Sequence, residues 1–397
     1  MELTNKQLEG LKIAVARYKA HEPYTVISGY AGVGKSTLVK FIIDALDLLP
    51  EEVAYCAFTG KAAQVLSNKG CPNATTAHKL LFETKPMPDG TYIHIPKTTL
   101  EPDTLKLIVV DEVSMLPKNM WELLISHKIY VLACGDPGQL PPISKDDDNR
   151  LLQNPHIFLD EIMRQALDSD IIRCSMDIRN GVTLRPFKGD DICIVNQSEL
   201  VTGMYTWADM ILCATNKTRI EVNNITRNLL GYNSSLPQKG EKIICLQNEW
   251  KTIANTGNAL VNGCVGTIDQ IRERSYIIPE WIGVPKNRIY LLEANFTSET
   301  NDIFPRFLMD KQTFVTGEPS LNSKQMWQMS RQKTTRAIMP KEFTYGYCIT
   351  GWKAQGSEWD KVLILEENFP FDRTEHRKFL YTCVTRASKK ATLVLKN

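Results

Sequence analysis

The sequence predicts an α/β fold whose parallel sheet is covered by helices and interrupted by two β-rich excursions. Three observations lead to it. Apolar runs with almost no polar interruption, Leu105–Val110 and Ile129–Cys134 among them, alternate with helical patterns, as strands buried on both faces do. The β-rich run Tyr24–Ser28 opens straight into a glycine loop, Gly29 to Thr37, with a helical pattern after it. The rhythm then breaks at about 82–104, where prolines surround Asp89-Gly90, and again at about 245–340, where short strands and glycine turns take over.

In order, Tyr24–Ser28 is the first strand, and Thr37–Leu49 is a helix stopped by Pro50. Val53–Phe58 is a strand, Gly60–Asn68 a helix, and Leu105–Val110 and Ile129–Cys134 further strands. Asp89-Gly90 marks the tip of a hairpin inside the first excursion. Val265–Ile271 and Arg288–Ala294 are short strands of a small β-barrel with no long capped helix, and Lys361–Leu365 and Ala391–Leu395 return to the α/β pattern. With 397 residues, two or three domains are expected at roughly 150 residues each.

Composition excludes several classes. At 43% hydrophobic and 23% charged residues the chain is neither disordered nor collagenous. A net charge of +2 rules out wrapping nucleic acid by bulk charge, though not by one basic face. Met1 to Ala16 lacks the apolar core of a signal peptide, and no apolar run reaches the roughly 18 residues that span a bilayer. The 10 cysteines include no Cys-x-x-Cys, so zinc knuckles are excluded and reduced thiols in a cytoplasmic compartment are expected.

The chemistry gathers at the strand ends. Gly29-Tyr30-Ala31-Gly32-Val33-Gly34-Lys35-Ser36-Thr37 fits a phosphate loop. Its backbone N–H groups close on phosphates, Lys35 neutralises the β- and γ-oxygens, and Ser36 ligates Mg²⁺. Asp111, closing an apolar strand, is the second Mg²⁺ residue, and Glu112 the base for the attacking water. Gln139 follows the strand Ile129–Cys134, in place to touch both the γ-phosphate and a neighbouring domain. ATP and Mg²⁺ are the cofactors these residues call for.

Nine segments in order resemble superfamily 1 helicases of the RecD-like and bacteriophage Dda-like group. They are Leu3 to Gln7, the phosphate loop, Ala57 to Ala63, Ala74 to Leu80, Asp111 to Met115, Gly135 to Pro142, Glu161 to Gln165, Thr350 to Glu358 and Tyr381 to Ala387. The resemblance implies two RecA-like domains, 1–150 and 151–397. It makes the insertions a β-hairpin wedge at about 82–104 and an SH3-like barrel at about 245–340. It implies Gln7 as the adenine contact, Gly356 and Glu358 among the nucleotide contacts, and Arg164 and Arg386 as arginine fingers.

The activity implied is ATP-dependent unwinding with 5′→3′ movement, in replication, recombination or repair; an ATPase that remodels or loads proteins on a strand is the alternative reading. A P-loop kinase would leave Arg386 unexplained. The track is single-stranded DNA and its fork, met by Thr59, Lys61, His78, Lys79, Phe82, Tyr92, Trp352 and Lys353. Phe58 and Trp352 stand where the family usually has Pro and His; the indole stacks a base better than imidazole but offers one donor instead of two. Residues 319–341 hold Lys324, Arg331, Lys333, Arg336 and Lys341 and no acid, which fits either a solvated loop or a strand-binding extension. A monomer is expected, with single-strand-binding, replication or recombination proteins as partners. The compact form points to a phage or mobile element, and so to the host cytoplasm.

Overall fold

A computed structural model of the chain describes residues 3–86, 92–141, 149–161 and 168–396. Helix α1 (Asn5–Lys19) starts on a capping box, in which Thr4 Oγ1 accepts from Gln7 N and Gln7 Oε1 accepts from Thr4 N. Strand β1 (Tyr24–Gly29) feeds the glycine loop and α2 (Lys35–Ala45). That helix begins earlier than its apolar pattern predicts, because Gly34 turns the chain in the left-handed region at φ 77°. It also ends earlier, since Asp47 sits at φ 51° ahead of Pro50.

β2 (Val53–Ala57), α3 (Gly60–Asn68), β3 (Thr75–Thr76) and α4 (Ala77–Leu81) follow. β4 (Phe82–Pro86) and β5 (Tyr92–Pro96) pair as a two-stranded hairpin; its Asp89-Gly90 tip lies outside the described residues. β6 (Leu107–Asp111), α5 (Lys118–Ser126), β7 (Tyr130–Gly135) and β8 (Ile157–Leu159) complete a six-stranded sheet of order β3-β2-β6-β7-β1-β8. The pairings along it are parallel. A division at residue 150 therefore does not follow the sheet, because the chain crosses back to lay Ile157–Leu159 beside β1.

After α6 (Asp170–Asn180), β9 (Phe187–Lys188), β10 (Ile192–Asn196), α7 (Thr202–Trp207) and β11 (Met210–Cys213) begin a second sheet. The chain then leaves through α8 (Asn216–Leu229) into a β-rich region. There β12 (Lys242–Cys245), β13 (Glu249–Ile253), β14 (Ala259–Leu260), β15 (Val265–Ile277), β16 (Arg288–Ser298), β17 (Ile303–Asp310) and β18 (Phe343–Tyr345) appear. Five form an antiparallel sheet of order β17-β16-β15-β12-β18. The chain leading into β18 bridges back to β17 at Met309 and Lys341, where Lys341 N donates to Leu308 O at 2.8 Å. The sheet thereby curls round Phe296, Phe304, Phe307 and Phe343, whose rings touch.

β15 runs six residues beyond the strand the sequence predicts, since the charged stretch Arg272–Glu273–Arg274 hides the alternation, and β16 starts at Arg288 as predicted but continues past Ala294 to Ser298. Their outer ends share a second core with Ile278, Ile282, Leu321 and Met329. Three short helices, α9 (Lys311–Thr316), α10 (Ser323–Ser330) and α11 (Lys333–Arg336), lie between β17 and β18. Asp310 caps the first, and an Asn322–Gln325 capping box starts the second.

β19 (Cys348–Thr350), α12 (Gly351–Ala354), β20 (Trp359–Leu365), α13 (Arg373–Val384) and β21 (Ala387–Leu395) complete the second sheet, of order β19-β11-β20-β21-β10-β9. By contacts the chain forms two compact units. The first is Met1–Phe82, Pro96–Asn216 and Thr350–Asn397, holding both six-stranded sheets; the second is Glu83–Ile95 and Lys217–Ile349, with the hairpin in the β-rich unit. All 10 cysteines are free, and no helix among the described residues is long and apolar enough to cross a membrane.

The second unit contains a buried ion pair. Arg227 Nε donates to Glu241 Oε1 at 2.6 Å, its Nη2 to Oε2 at 3.1 Å, and the guanidinium lies 3.8 Å from the Tyr345 ring centroid. Removing one partner leaves an uncompensated buried charge, so Glu241→Ala should cost about 3–5 kcal/mol. Hydrogen exchange at the amides of β12 and β15 reads this directly: protection should fall there, and unchanged protection would remove the pair from the account of this unit.

Candidate functional site

β1 delivers the glycine loop at the carboxyl end of the first sheet. Gly29 must lack a side chain, because a Cβ would lie 2.8 Å from Val33 Cγ2 and 2.9 Å from Leu159 O. Gly32 and Gly34 hold φ near 78° and 77°, which turns the loop into the first turn of α2. The Val33 side chain is core, so only its backbone lines the loop. Lys35 Nζ donates to Gly29 O at 2.7 Å and Tyr30 O at 3.0 Å, folding its ammonium over the loop. Ser36 is exposed at the helix start, with Thr37 half-buried beside it.

Gln7 is 1% exposed, and its amide donates to Val33 O at 3.2 Å and Gly34 O at 3.4 Å. Its oxygen accepts from Thr4 N at 3.0 Å, so Gln7 ties the start of α1 to the phosphate loop.

β6 ends at Asp111, and Glu112 follows in the left-handed region at φ 53°, an unfavourable conformation for a residue with a Cβ. Burial first, then the charge of Glu112, pushes the Asp111 carboxyl up to about 6, while Lys35 pulls it down. Gln139, 5% exposed, directs Nε2 to Glu112 Oε1 at 3.4 Å and leaves its own Oε1 unpartnered. Half-buried carboxylates at Asp111 and Glu112, a lysine over the loop and an exposed hydroxyl at the helix start make a donor set that fits Mg²⁺ with a polyphosphate. Among the described residues no group of three or more His, Cys, Asp or Glu could hold a metal, but Mg²⁺ bound with phosphates takes only one or two protein ligands.

The second sheet reaches this site through α13 and the loop after α12. Tyr381 Oη accepts from Ala31 N at 2.9 Å and donates to Asp136 Oδ2 at 2.8 Å; both side chains are 1% exposed. Burial raises the Asp136 carboxyl, and Lys35 and the Tyr381 hydroxyl oppose it. Thr382 Oγ1 accepts from Leu140 N at 3.0 Å, and Gln355 Nε2 donates to Leu140 O at 2.9 Å. Gly138 lies against Tyr381, and Gly356, at φ 74°, against Ala62. Arg386, 8% exposed, is no surface arginine: it donates to Thr382 O at 3.1 Å and Ser357 O at 3.2 Å. Glu358 is exposed, and Arg164 lies outside the described residues.

The expected strand contacts divide. Thr59 caps α3 by accepting from Ala62 N, and Lys61 is buried. His78 and Lys79 are exposed, and the His78 ring lies 4.9 Å from Phe82. Trp352 is half-buried, its ring 6.0 Å from both Phe369 and Phe379, and Lys353 is exposed. The Tyr92 side chain is outside the described residues.

The AAA domain family matches residues 3–190, and the UvrD-like helicase C-terminal domain matches 345–394, the span that includes Tyr381 and Arg386. The chain is 35% identical over 161 residues to the ATP-dependent RecD2 DNA helicase of Deinococcus radiodurans, covering 39% of this chain and 22% of that protein. It is 25% identical over 251 residues to the ATP-dependent DNA helicase dda of Enterobacteria phage T4, covering 57% of each. The chain thus spans well under two thirds of either relative. The structure of Bacteroides Pif1 bound to ssDNA shares the fold at a TM-score of 0.57 and 15% identity, over 100% of this chain and 92% of that one. These matches agree with the resemblance to superfamily 1 helicases of the RecD-like and Dda-like group. The residues joining the two sheets, Ala31, Asp136 and Leu140 on one side and Gln355, Tyr381 and Thr382 on the other, lie within the two matched spans.

Tyr381, Thr382, Gln355 and Asp136 were not singled out from sequence. Each sits inside a motif whose neighbours drew attention, and a tyrosine one helical turn before Arg386 was the available signal. Asp111 keeps its proton more tightly folded than unfolded. Its ionisation therefore lowers stability as pH rises from about 4, its unfolded value, to about 6, its folded one. In magnesium-free buffer Asp111→Asn should melt above the parent protein at pH 8, and the gain should vanish near pH 4. A pH-independent difference would remove burial as the cause.

Proposed function

We propose that this protein is an ATP-hydrolysing DNA helicase of superfamily 1, a monomer of the cell or host cytoplasm acting on single-stranded and forked DNA. The observation that carries the reading is the contact of Tyr381 and Thr382, on the helix leading to Arg386, with the phosphate loop and the Gln139 segment. One sheet supplies the phosphate loop and carboxylates, and the other touches them directly, so a change at the phosphates changes the fit between sheets. RecD2 and Dda are named ATP-dependent DNA helicases, and the Pif1 structure was solved with ssDNA.

In this reading the loop amides and Lys35 hold phosphates, and Ser36 and Asp111 hold Mg²⁺. Bound MgATP supplies the phosphoanhydride whose cleavage drives the cycle. Glu112 takes the proton from water, with Gln139 beside it. Arg386 turns from the Thr382 and Ser357 carbonyls toward the γ-phosphate as the cleft closes, and Arg164 joins it. Thr59, His78, Lys79, Trp352 and Lys353 touch the strand, and the hairpin with Phe82 and Tyr92 parts the duplex. The curled five-stranded sheet is an SH3-like barrel.

Turnover should rise on adding single-stranded DNA, and Lys35→Ala and Glu112→Gln should abolish the rise. Arg386→Ala should lower kcat by roughly 10³-fold or more with a smaller change in KM. Full turnover in Glu112→Gln would remove it as the base.

Direction is read from end-biotinylated oligonucleotides. Streptavidin should be released from the 3′ end, as 5′→3′ movement requires, and a forked duplex should be unwound. Release from the 5′ end alone would reverse the assignment. ATP-driven release without strand separation would favour a remodelling ATPase.

A further inference from the structure

Arg386 is a buried cation held without an acid. It is 8% exposed, and its hydrogen-bond acceptors among the described residues are all neutral oxygens. Nε donates to Thr382 O at 3.1 Å, Nη1 to Ser357 O at 3.2 Å and Nη2 to Thr385 Oγ1 at 3.2 Å. Every nitrogen of the guanidinium is thus occupied by elements of the second sheet. Neutral acceptors compensate a buried guanidinium less than charged oxygens do, so phosphate oxygens can displace them.

Thr385 closes α13. Its N–H donates to Tyr381 O, and its hydroxyl donates to the same carbonyl at 2.9 Å or to Thr382 O at 3.0 Å. The hydroxyl proton is spent on the helix end, which leaves Oγ1 to accept from Arg386. The last carbonyls of a helix carry the negative end of its dipole, a further reason for a cation to settle there. Ser357 is tied in the opposite direction. Its N–H donates to Ala354 O at 3.1 Å, and Ala354 ends α12, the helix that carries Trp352 and Lys353. Gly356, one residue earlier, lies against Ala62 of α3, the helix that Thr59 caps and Lys61 belongs to. The helices with the expected strand contacts in both sheets therefore bear on the segment that offers Ser357 O.

We propose that Arg386 is parked in the absence of nucleic acid, and that a strand pressing on α12 and α3 moves Ser357 and releases the arginine toward the γ-phosphate. Thr385 is then a positioning residue, because its hydroxyl sets how firmly the parked state is held. The inference rests on the helicase reading, with Arg386 as its arginine finger, and adds the reason why turnover waits for a strand. A parked and a released arginine are two states of one element, and one hydrogen bond to a charged group shifts such an equilibrium by about tenfold or more.

The test uses the full chain with MgATP and a labelled oligothymidylate. Thr385→Val keeps the shape of the side chain and removes the acceptor. Turnover without the strand should rise by about tenfold, while turnover at saturating strand stays near that of the parent. Thr385→Ser keeps the hydroxyl and should behave as the parent does. Coupling is reciprocal, so Thr385→Val should also bind the oligothymidylate more tightly, by up to the same factor. Misfolding produces neither gain. In an Arg386→Ala background, Thr385→Val should leave turnover where Arg386→Ala alone puts it. If Thr385→Val turns over no faster than the parent without the strand, while the parent is still stimulated and Arg386→Ala is still slow, the parking falls and the helicase reading stands. An equal gain in Thr385→Ser and Thr385→Val would place its cause in the helix end and not in the hydroxyl, and would overturn the proposal. If the strand leaves parent turnover unchanged and Arg386→Ala turns over normally, both readings fall.

Discussion

The hydroxyl of Tyr381 joins the two sheets of the α/β unit at a buried point. It accepts from the Ala31 amide of the phosphate loop and donates to Asp136, which itself accepts from Gly138 N at 2.8 Å. Neither side chain has water to fall back on, and a buried polar group left without its partner costs about 1–3 kcal/mol. Packing enforces the same contact, since a Cβ on Gly138 would come within 2.8 Å of the Tyr381 ring. The phosphate loop, the Gln139 segment and the helix before Arg386 are thereby held in one arrangement. A phosphate drawing on the Ala31 amide would compete with that hydroxyl.

Around this junction the protein keeps charge buried where a cation compensates it. Asp111 and Asp136 are both raised by burial, and Lys35 opposes the shift at each. The β-rich unit handles buried charge differently: Arg227 and Glu241 neutralise each other inside the fold, which fixes how α8 meets the curled sheet.

The nucleotide site was legible because its chemistry is local. A glycine loop between a buried strand and a helix, and an apolar strand ending in Asp-Glu, need only neighbours in sequence to be recognised. The same locality hides what Gln7 does inside the fold: its amide donates to Val33 O and Gly34 O, which nothing in five residues of sequence reveals. The outer half of β15 was missed because Arg272, Glu273 and Arg274 follow one another there, which erases the period of two. The short helices after β17 were announced by Asp310 and by Asn322 with Gln325, cap signals too brief to stand out without the fold.

The sequence by itself determined the buried parallel strands, the phosphate loop, the acidic pair and the places where the fold is interrupted, since each follows from hydrophobic period and backbone requirements over a few residues. Tertiary structure decided the partners. It set Ile157–Leu159 beside β1, closed the five-stranded sheet through Met309 and Lys341, and gave Tyr381 its two bonds across 245 and 350 residues of chain. Such pairings depend on which buried groups meet once the chain has closed on itself, and no pattern along the sequence encodes that distance.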